Sequence, residues 1–342
     1  MLRAQAGSPR SDAVGGPEAK RTVHVLVTGA AGFIGSNAAD ALVARGDRVR
    51  GVDSFLDYYP RDAKERNLAG LRKSARFEFV EADLVSADLR ALLDGIDAVL
   101  HFAAQAGVRA SWGKDFRIYA DSNVLATQRL LEACTEGKRR LVYSSSSSIY
   151  GDAPDLPTVE TTLPRPISPY GVTKLAGEHL CRLYTQSFGL PTISLRYFTV
   201  YGPRQRPDMA FHRFIRAHLA GRPVTVYDDG DQTRDFTFVG DAVAANLLAL
   251  ERGEPGAAYN VGGGSRVSVN HVLDMLGDLT GSPVRVERAD RQRGDVRDTH
   301  ASTDRARAEL GWQPRTGLRE GLAAEIDWLR GDAAHAGDRG RA

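Results

Sequence analysis

The string Gly29-Ala30-Ala31-Gly32-Phe33-Ile34-Gly35 constrains this chain more than any other, because it stands between a strand pattern and a helix pattern. Val23 to Thr28 reads as a short buried strand, and Ser36 to Arg45 as an amphipathic helix. Glycines let the backbone turn tightly and approach a pyrophosphate. The helix that follows then turns its free amides toward the anion. A second apolar run, Arg48 to Val52, ends at Asp53, 24 residues after Gly29. A carboxylate there is placed to bond a ribose 2′-hydroxyl and to repel a 2′-phosphate. The spacing is GxxGxxG rather than GxGxxG, and alone it would mean only a tight turn. Its position, with the acid that follows, points to a dinucleotide and favours NAD over NADP.

The alternation continues. Strands are expected at Arg76 to Val80, Ala98 to Phe102, Leu141 to Tyr143 and Thr192 to Arg196, with a long helix from Asn123 to Thr135. Such alternation builds a parallel sheet covered on both faces. The expected fold is therefore α/β, a Rossmann-type doubly wound sheet. After Arg196 the texture changes to a Pro- and Arg-rich loop, a helix from Met209 to Ala220 and a strand at Val224 to Tyr227. The chain then returns to the sheet between Arg234 and Val261, and ends in helix, strand and helix from Ser268 to Arg330. This predicts a dinucleotide domain of residues 22–196 plus 235–261. A smaller, discontinuous α/β lobe would comprise 197–234 plus 262–330. Residues 1–21 and 331–342 are polar and small, and read as a disordered arm and a flexible tail.

Composition excludes several classes. Lys+Arg 45 against Asp+Glu 43 leaves no bulk field to recruit nucleic acid, and no nucleic-acid-reading motif is present. Two cysteines inside helical patterns and eight histidines without ligand spacing indicate neither a disulfide framework nor a metal site. No apolar run is long enough to cross a bilayer, and residues 1–21 lack the apolar centre of a secretory signal, so a cytoplasmic protein is expected.

Chemistry is concentrated further along. Tyr170 and Lys174 lie four apart in Ser-Pro-Tyr-Gly-Val-Thr-Lys, which puts them on one helix face. An ammonium beside a phenol favours the phenolate and would lower its pKa toward neutral. The five-serine run Ser144 to Ser148 supplies a hydroxyl from a strand end to the same oxygen. Taken alone, a Tyr/Lys pair is what many helix surfaces carry; the glycine turn gives it weight. Asp83-Leu84 after the third strand suit the adenine edge, and Ala103-Ala104 after the fourth are small enough for a cofactor to lie against.

The strings TGAAGFIG, HFAAQAGVR, SSSSSIYG, SPYGVTK, LRYFTVYGPRQRPDMA, DGDQTRDF and RQRGDVR follow in one order from about Thr22 to Arg330. In them the chain resembles the extended short-chain dehydrogenase/reductase family, and within it the nucleotide-sugar epimerases. The resemblance implies an NAD that is held and not consumed, contacted also by Tyr197. It implies a catalytic set of Tyr170, Lys174 and Ser146, in which Tyr170 moves the proton of a sugar C4 hydroxyl. It implies Arg234 and Arg293 for the substrate diphosphate, Asp295 for the uridine ribose and Tyr227 for the uracil. Asp228-Asp229-Gly230 stands where relatives often have Gly-Asp-Gly, which leaves the base subsite less defined.

Within these epimerases the chain looks most like those acting on UDP-glucuronate, with Thr199 where UDP-glucose epimerases usually carry Asn. Oxidising C4 of a glucuronate makes a β-keto acid prone to lose CO₂. Hydroxyls of Ser147, Ser148 and Thr199 would fix its carboxylate, supported by Arg206, with Arg109 a weaker candidate. No acid precedes the Tyr150-Gly151 pair, unlike sugar 4,6-dehydratases and glucuronate decarboxylases. Two alternatives stay open, a UDP-glucose/UDP-galactose epimerase and a non-catalytic NAD sensor of the same fold. The helices Asn123–Thr135 and Pro169–Phe188 carry apolar faces that relatives pair across a two-fold axis, so a homodimer is expected.

Overall fold

Thirteen strands and ten α-helices are laid out along residues 22–338, the residues described by this computed structural model. The strands are β1 (His24–Thr28), β2 (Arg48–Asp53), β3 (Phe77–Glu81), β4 (Ala98–His101), β5 (Arg140–Ser146), β6 (Thr192–Tyr197), β7 (Val200–Tyr201), β8 (Val224–Tyr227), β9 (Thr233–Asp235), β10 (Thr237–Phe238), β11 (Ala258–Val261), β12 (Arg266–Ser268) and β13 (Val286–Ala289). The helices are α1 (Phe33–Ala44), α2 (Arg61–Leu68), α3 (Leu89–Leu93), α4 (Phe116–Tyr119), α5 (Ala126–Thr135), α6 (Pro169–Phe188), α7 (Ala210–Leu219), α8 (Val239–Arg252), α9 (Val269–Thr280) and α10 (Leu318–Asp338).

Seven strands form the central sheet in the order β11-β6-β5-β4-β1-β2-β3. Every neighbouring pair is parallel. The chain winds outward from β1 to β3, then crosses back to β4 on the other side of β1. That reversal opens a crevice at the strands' carboxyl ends, where open α/β sheets bind ligands. Register aligns the ends that matter: Thr28 faces His101, His101 faces Tyr143, and Ser146 faces Tyr197.

Two apolar layers cover the sheet. One joins Leu42 of α1 and Val243 and Ala249 of α8 to Val25, Val27 and Ile193; the other joins Leu130 and Leu131 of α5 and Cys181 of α6 to Leu26, Val99 and Leu141. Burying each such Leu, Ile or Val side chain contributes about 1.5–3 kcal/mol. A third cluster is separate from both. It gathers Phe211 and Ile215 of α7, Val224 and Val226 of β8, Leu273 of α9 and Leu322 and Ile326 of α10.

Several expectations change on contact with the structure. α1 starts at Phe33 because Gly32 is its N-cap, so Phe33, Ile34 and Gly35 belong to the first turn. The helix expected from Asn123 begins at Phe116, and Ala120–Leu125 within it is a π-turn. The return to the sheet is made by α8 and β11; β9 and β10 pair instead with β12 and β7, outside it. Where a flexible tail was expected from residue 331, α10 continues to Asp338. The expected arm, residues 1–21, lies outside the described residues, as do 339–342.

Candidate active site

The first βα turn is built for close approach. Gly29 has φ +68°, and a Cβ on it would lie 2.8 Å from the Ala103 amide nitrogen. A Cβ on Gly35 would meet the Gly29 carbonyl oxygen at 2.2 Å. Gly32 caps α1 with no side-chain hydrogen bond, and the first turn holds no acid, so the helix's leading amides face outward without a competing anion. These features fit a dinucleotide pyrophosphate.

Every residue expected to hold the dinucleotide lines one cleft along the sheet's carboxyl edge. Gly29, Gly32, Phe33, Ile34 and Gly35 form its floor, Asp53, Asp83 and Leu84 one end, and Ala103, Ala104, Tyr170, Lys174 and Tyr197 the other. Asp53 is nearly buried. Its carboxylate accepts from the Ala31 and Phe55 amides at 3.2 and 2.8 Å and has the Lys64 ammonium 3.7 Å away.

At the far end α6 presents Tyr170 and Lys174 on one face. Ser168 caps the helix by accepting from the Gly171 amide at 3.1 Å, and Pro169 occupies its first position. The Lys174 ammonium donates to the Ser144 carbonyl at 2.9 Å and lies 5.9 Å from the centre of the Tyr170 ring. Burial brings the lysine down to about 8, so it stays charged at neutral pH. The expected acidification of Tyr170 is not present: burial holds its phenol above the usual tyrosine range. Two effects oppose that rise, the Arg206 guanidinium first and a hydrogen bond with Ser146 second. Ser146 ends β5, caps the turn Ser147–Ile149 and donates to the Ser148 hydroxyl at 3.1 Å.

Arg206, expected at the sugar carboxylate, thus also acts on the Tyr170 phenol. It lines the cofactor cleft and makes a two-pronged ion pair with Asp208, at 3.0 and 2.9 Å. Tyr58 donates to the same carboxylate at 3.1 Å. Ser147 and Ser148 are half-buried in their turn, and Thr199 is half-buried just beyond β6.

The residues expected to meet the nucleotide lie on β8, on β9 and in the segment after β13, with partners of their own. Arg234 donates to the carbonyls of Thr233, Arg297 and Val296, at 2.9, 2.8 and 2.6 Å. Asp295 is paired with Arg109 at 2.6 Å, and the Arg109 guanidinium lies 4.3 Å from the centre of the Tyr227 ring. Arg109, the weaker candidate for the sugar carboxylate, thus lies beside the two residues expected to meet the ribose and the base. Arg293 is exposed two residues before Asp295. Asp228 takes φ +62°, the left-handed region that suits glycine and that aspartate tolerates. Its loop is held by Arg297, which reaches Asp229 at 3.2 Å.

Sequence reasoning missed several groups. Ser54, Tyr58, Tyr59, Lys64, Gln105, Ser122, Ser144 and Ser145 also line the cleft. Asn123, buried in the π-turn, ties the site together: it accepts from the Gln105 amide at 2.7 Å and donates to the Gln105 carbonyl and the Thr173 hydroxyl, both at 3.0 Å. Behind β5, Glu178 receives Ser145 and a two-pronged Arg196, whose other arm reaches the Tyr150 hydroxyl at 2.7 Å. The π-turn left no mark in the apolar periodicity, whereas Glu178, one turn beyond Lys174, was findable by helical spacing.

Comparison with known proteins converges. Residues 25–262 match the NAD dependent epimerase/dehydratase family. YtcB of Bacillus subtilis, described as an uncharacterized UDP-glucose epimerase, is 45% identical over 312 residues, 90% of this chain and 98% of that one. A UDP-glucuronate 4-epimerase of Thermodesulfobacterium geofontis is 37% identical over 313 residues, 90% of this chain and 96% of its own. The crystal structure of UDP-glucuronic acid 4-epimerase from Bacillus cereus, in complex with UDP-glucuronic acid and NAD, superposes with a TM-score of 0.88 at 43% identity, covering 90% of this chain and 99% of that one.

Proposed function

The chain belongs to the NAD dependent epimerase/dehydratase family, and from that premise we propose that it interconverts UDP-glucuronate and UDP-galacturonate by inverting C4 of the sugar. The observation that carries this choice is Arg206, a guanidinium in the same cleft as Tyr170, at the end where an anionic sugar would bring its carboxylate. Asp208 takes Nε and Nη2 of that guanidinium, and Nη1 is the arm left for a sugar carboxylate.

Bound NAD supplies an acceptor that takes a hydride from C4 and gives it back. Gly29, Gly32 and Gly35 admit its pyrophosphate, and Asp53 receives a ribose hydroxyl. Tyr170 takes the proton of the C4 hydroxyl as the hydride leaves, and returns a proton after the sugar has turned its other face. Ser146 holds the same oxygen. Lys174 keeps a positive charge beside the phenol as it loses its proton, and Arg206 adds a second. Ser147, Ser148 and Thr199 hold the carboxylate in the plane of the transient ketone, which disfavours loss of CO₂. The lobe built around α7, β8, α9 and α10 grips the nucleotide through Tyr227, Arg234, Arg293 and Asp295.

A homodimer fits the surface: Leu125, Val172, Leu183 and Phe188, on the helices that run through α5 and α6, are 42–52% exposed. A second copy laying down the same helices would cover them. A cytoplasmic setting suits Cys134 and Cys181, which are buried free thiols. Among the described residues no helix is long and apolar enough to cross a membrane.

The test is direct. Purified protein incubated with UDP-glucuronate and no added NAD should form UDP-galacturonate. Formation of UDP-galactose from UDP-glucose, with the uronate untouched, would give the substrate to the neutral-sugar reading that YtcB's description favours.

A further inference from the structure

Arg109 belongs to the loop that follows β4, on the dinucleotide side, yet it reaches across to the second lobe. Its Nη2 donates to Asp295 Oδ2 at 2.6 Å and its Nε to Oδ1 at 3.4 Å. The same guanidinium lies 4.3 Å from the centre of the Tyr227 ring, and Arg213 stands 5.5 Å from that ring. The two loops are in close contact beneath this pair. Gly294 has φ +81°, and a Cβ there would come within 3.0 Å of Val108 Cγ1 and 3.4 Å of Ser168 Cβ. One side chain therefore engages both groups that the UDP-sugar reading assigns to the ribose and the base.

Arg234, the expected phosphate ligand, is not free in the same way. Three of its donors are given to the carbonyls of Thr233, Val296 and Arg297, so its guanidinium holds the loop carrying Asp295. Besides the exposed Arg293, a cation within reach of both the ribose and the base contacts is Arg109. Its present pairing is easily exchanged: the pair is 42% and 24% exposed, and such ion pairs are weak in water.

We infer that Arg109 closes the nucleotide subsite while no substrate is bound, and on binding trades the Asp295 carboxylate for the substrate's diphosphate. Asp295 is then released to accept from the ribose hydroxyls, and the Tyr227 face is uncovered for the base. The planar fork of arginine suits phosphate oxygens as well as it suits a carboxylate, so the exchange conserves hydrogen bonds. This rests on the UDP-sugar reading and adds to it the residue that recognises the diphosphate.

Titration of the NAD-containing enzyme with UDP and, separately, with uridine tests the exchange. Arg109→Ala should weaken UDP at least tenfold, while uridine binds as well as to the wild type or a few-fold better, because the residue covering Tyr227 is gone. Arg109→Lys should recover part of the UDP affinity. Unchanged UDP affinity in Arg109→Ala would overturn the inference, and so would an equal loss of UDP and uridine, which a merely structural role predicts. Wild-type protein that binds neither ligand would overturn the nucleotide reading itself.

Discussion

The Lys174 ammonium sits 5.9 Å from the centre of the Tyr170 ring and directs its hydrogen bond to the Ser144 carbonyl, not to the phenol. Helical spacing brought the two residues to one face, as expected, but burial acts on both. It raises the phenol and lowers the ammonium, shifting each toward its neutral form, although the lysine at about 8 still carries its charge at neutral pH. The strongest opposing influence on Tyr170 comes from Arg206, a residue 36 positions away in sequence.

Tyr170→Phe removes the only atom on that side chain able to move a proton. Turnover should fall about 10²–10⁴-fold, the range of a lost general acid–base group. NAD should remain bound, since Gly29, Gly35 and Asp53 are untouched; absorbance of dinucleotide released on denaturation measures this. Near-normal turnover in the variant would remove Tyr170 from its role.

Arg206→Met separates two effects of one guanidinium. With the positive charge gone, the Tyr170 phenol rises further, so the alkaline rise of kcat/KM should move to higher pH with either UDP-glucuronate or UDP-glucose. The KM for the uronate alone should rise at least tenfold. A pH profile that does not move would show that Arg206 does not act on the phenol. Equal KM changes for both sugars would deny it the carboxylate.

Thr199→Ala should free one edge of the sugar carboxylate. The transient 4-keto uronate can then turn its carboxylate out of the carbonyl plane and lose CO₂. The expected outcome is UDP-pentose accumulating beside UDP-galacturonate, detected by mass, or weaker uronate binding. Wild-type kinetics with no pentose would count against the hydroxyl clamp.

The parts legible in sequence share one property: they sit at fixed offsets from strand ends or along one helix. The glycine turn, Asp53, Asp83, Ala103 and the Tyr170/Lys174 face all follow from local periodicity, and the sheet brings them into one cleft. What was not legible depends on pairs distant in sequence. Lys64 approaches Asp53 from α2, Asn123 reaches Gln105 and Thr173 through a π-turn, and Asp208 holds Arg206 together with Tyr58. The pairing of Arg109 with Asp295 was equally hidden, because nothing local to HFAAQAGVR says that Asp295 will lie beside it.

Glu325 lends itself to a stability test away from the chemistry. It is fully buried in α10; one carboxylate oxygen accepts from the Gly202 amide at 2.8 Å, and the other has no partner among the described residues. Burial raises its pKa from 4.5 to about 8, and the Gly202 hydrogen bond only partly offsets this. Between those two values the folded state holds a proton that the unfolded chain has released. Stability is therefore highest at the acid end of that window and falls as pH rises through it, levelling off above about 8. Glu325→Gln stays neutral throughout and keeps an oxygen for the Gly202 amide. Denaturant unfolding should find the variant close to wild type near pH 5. It should be more stable near pH 8.5, by on the order of 3–5 kcal/mol at about 1.4 kcal/mol per pKa unit. Parallel profiles for the two proteins would mean that the buried carboxyl finds a partner, and that the loop following Tyr201 does not strain against a charge as pH rises.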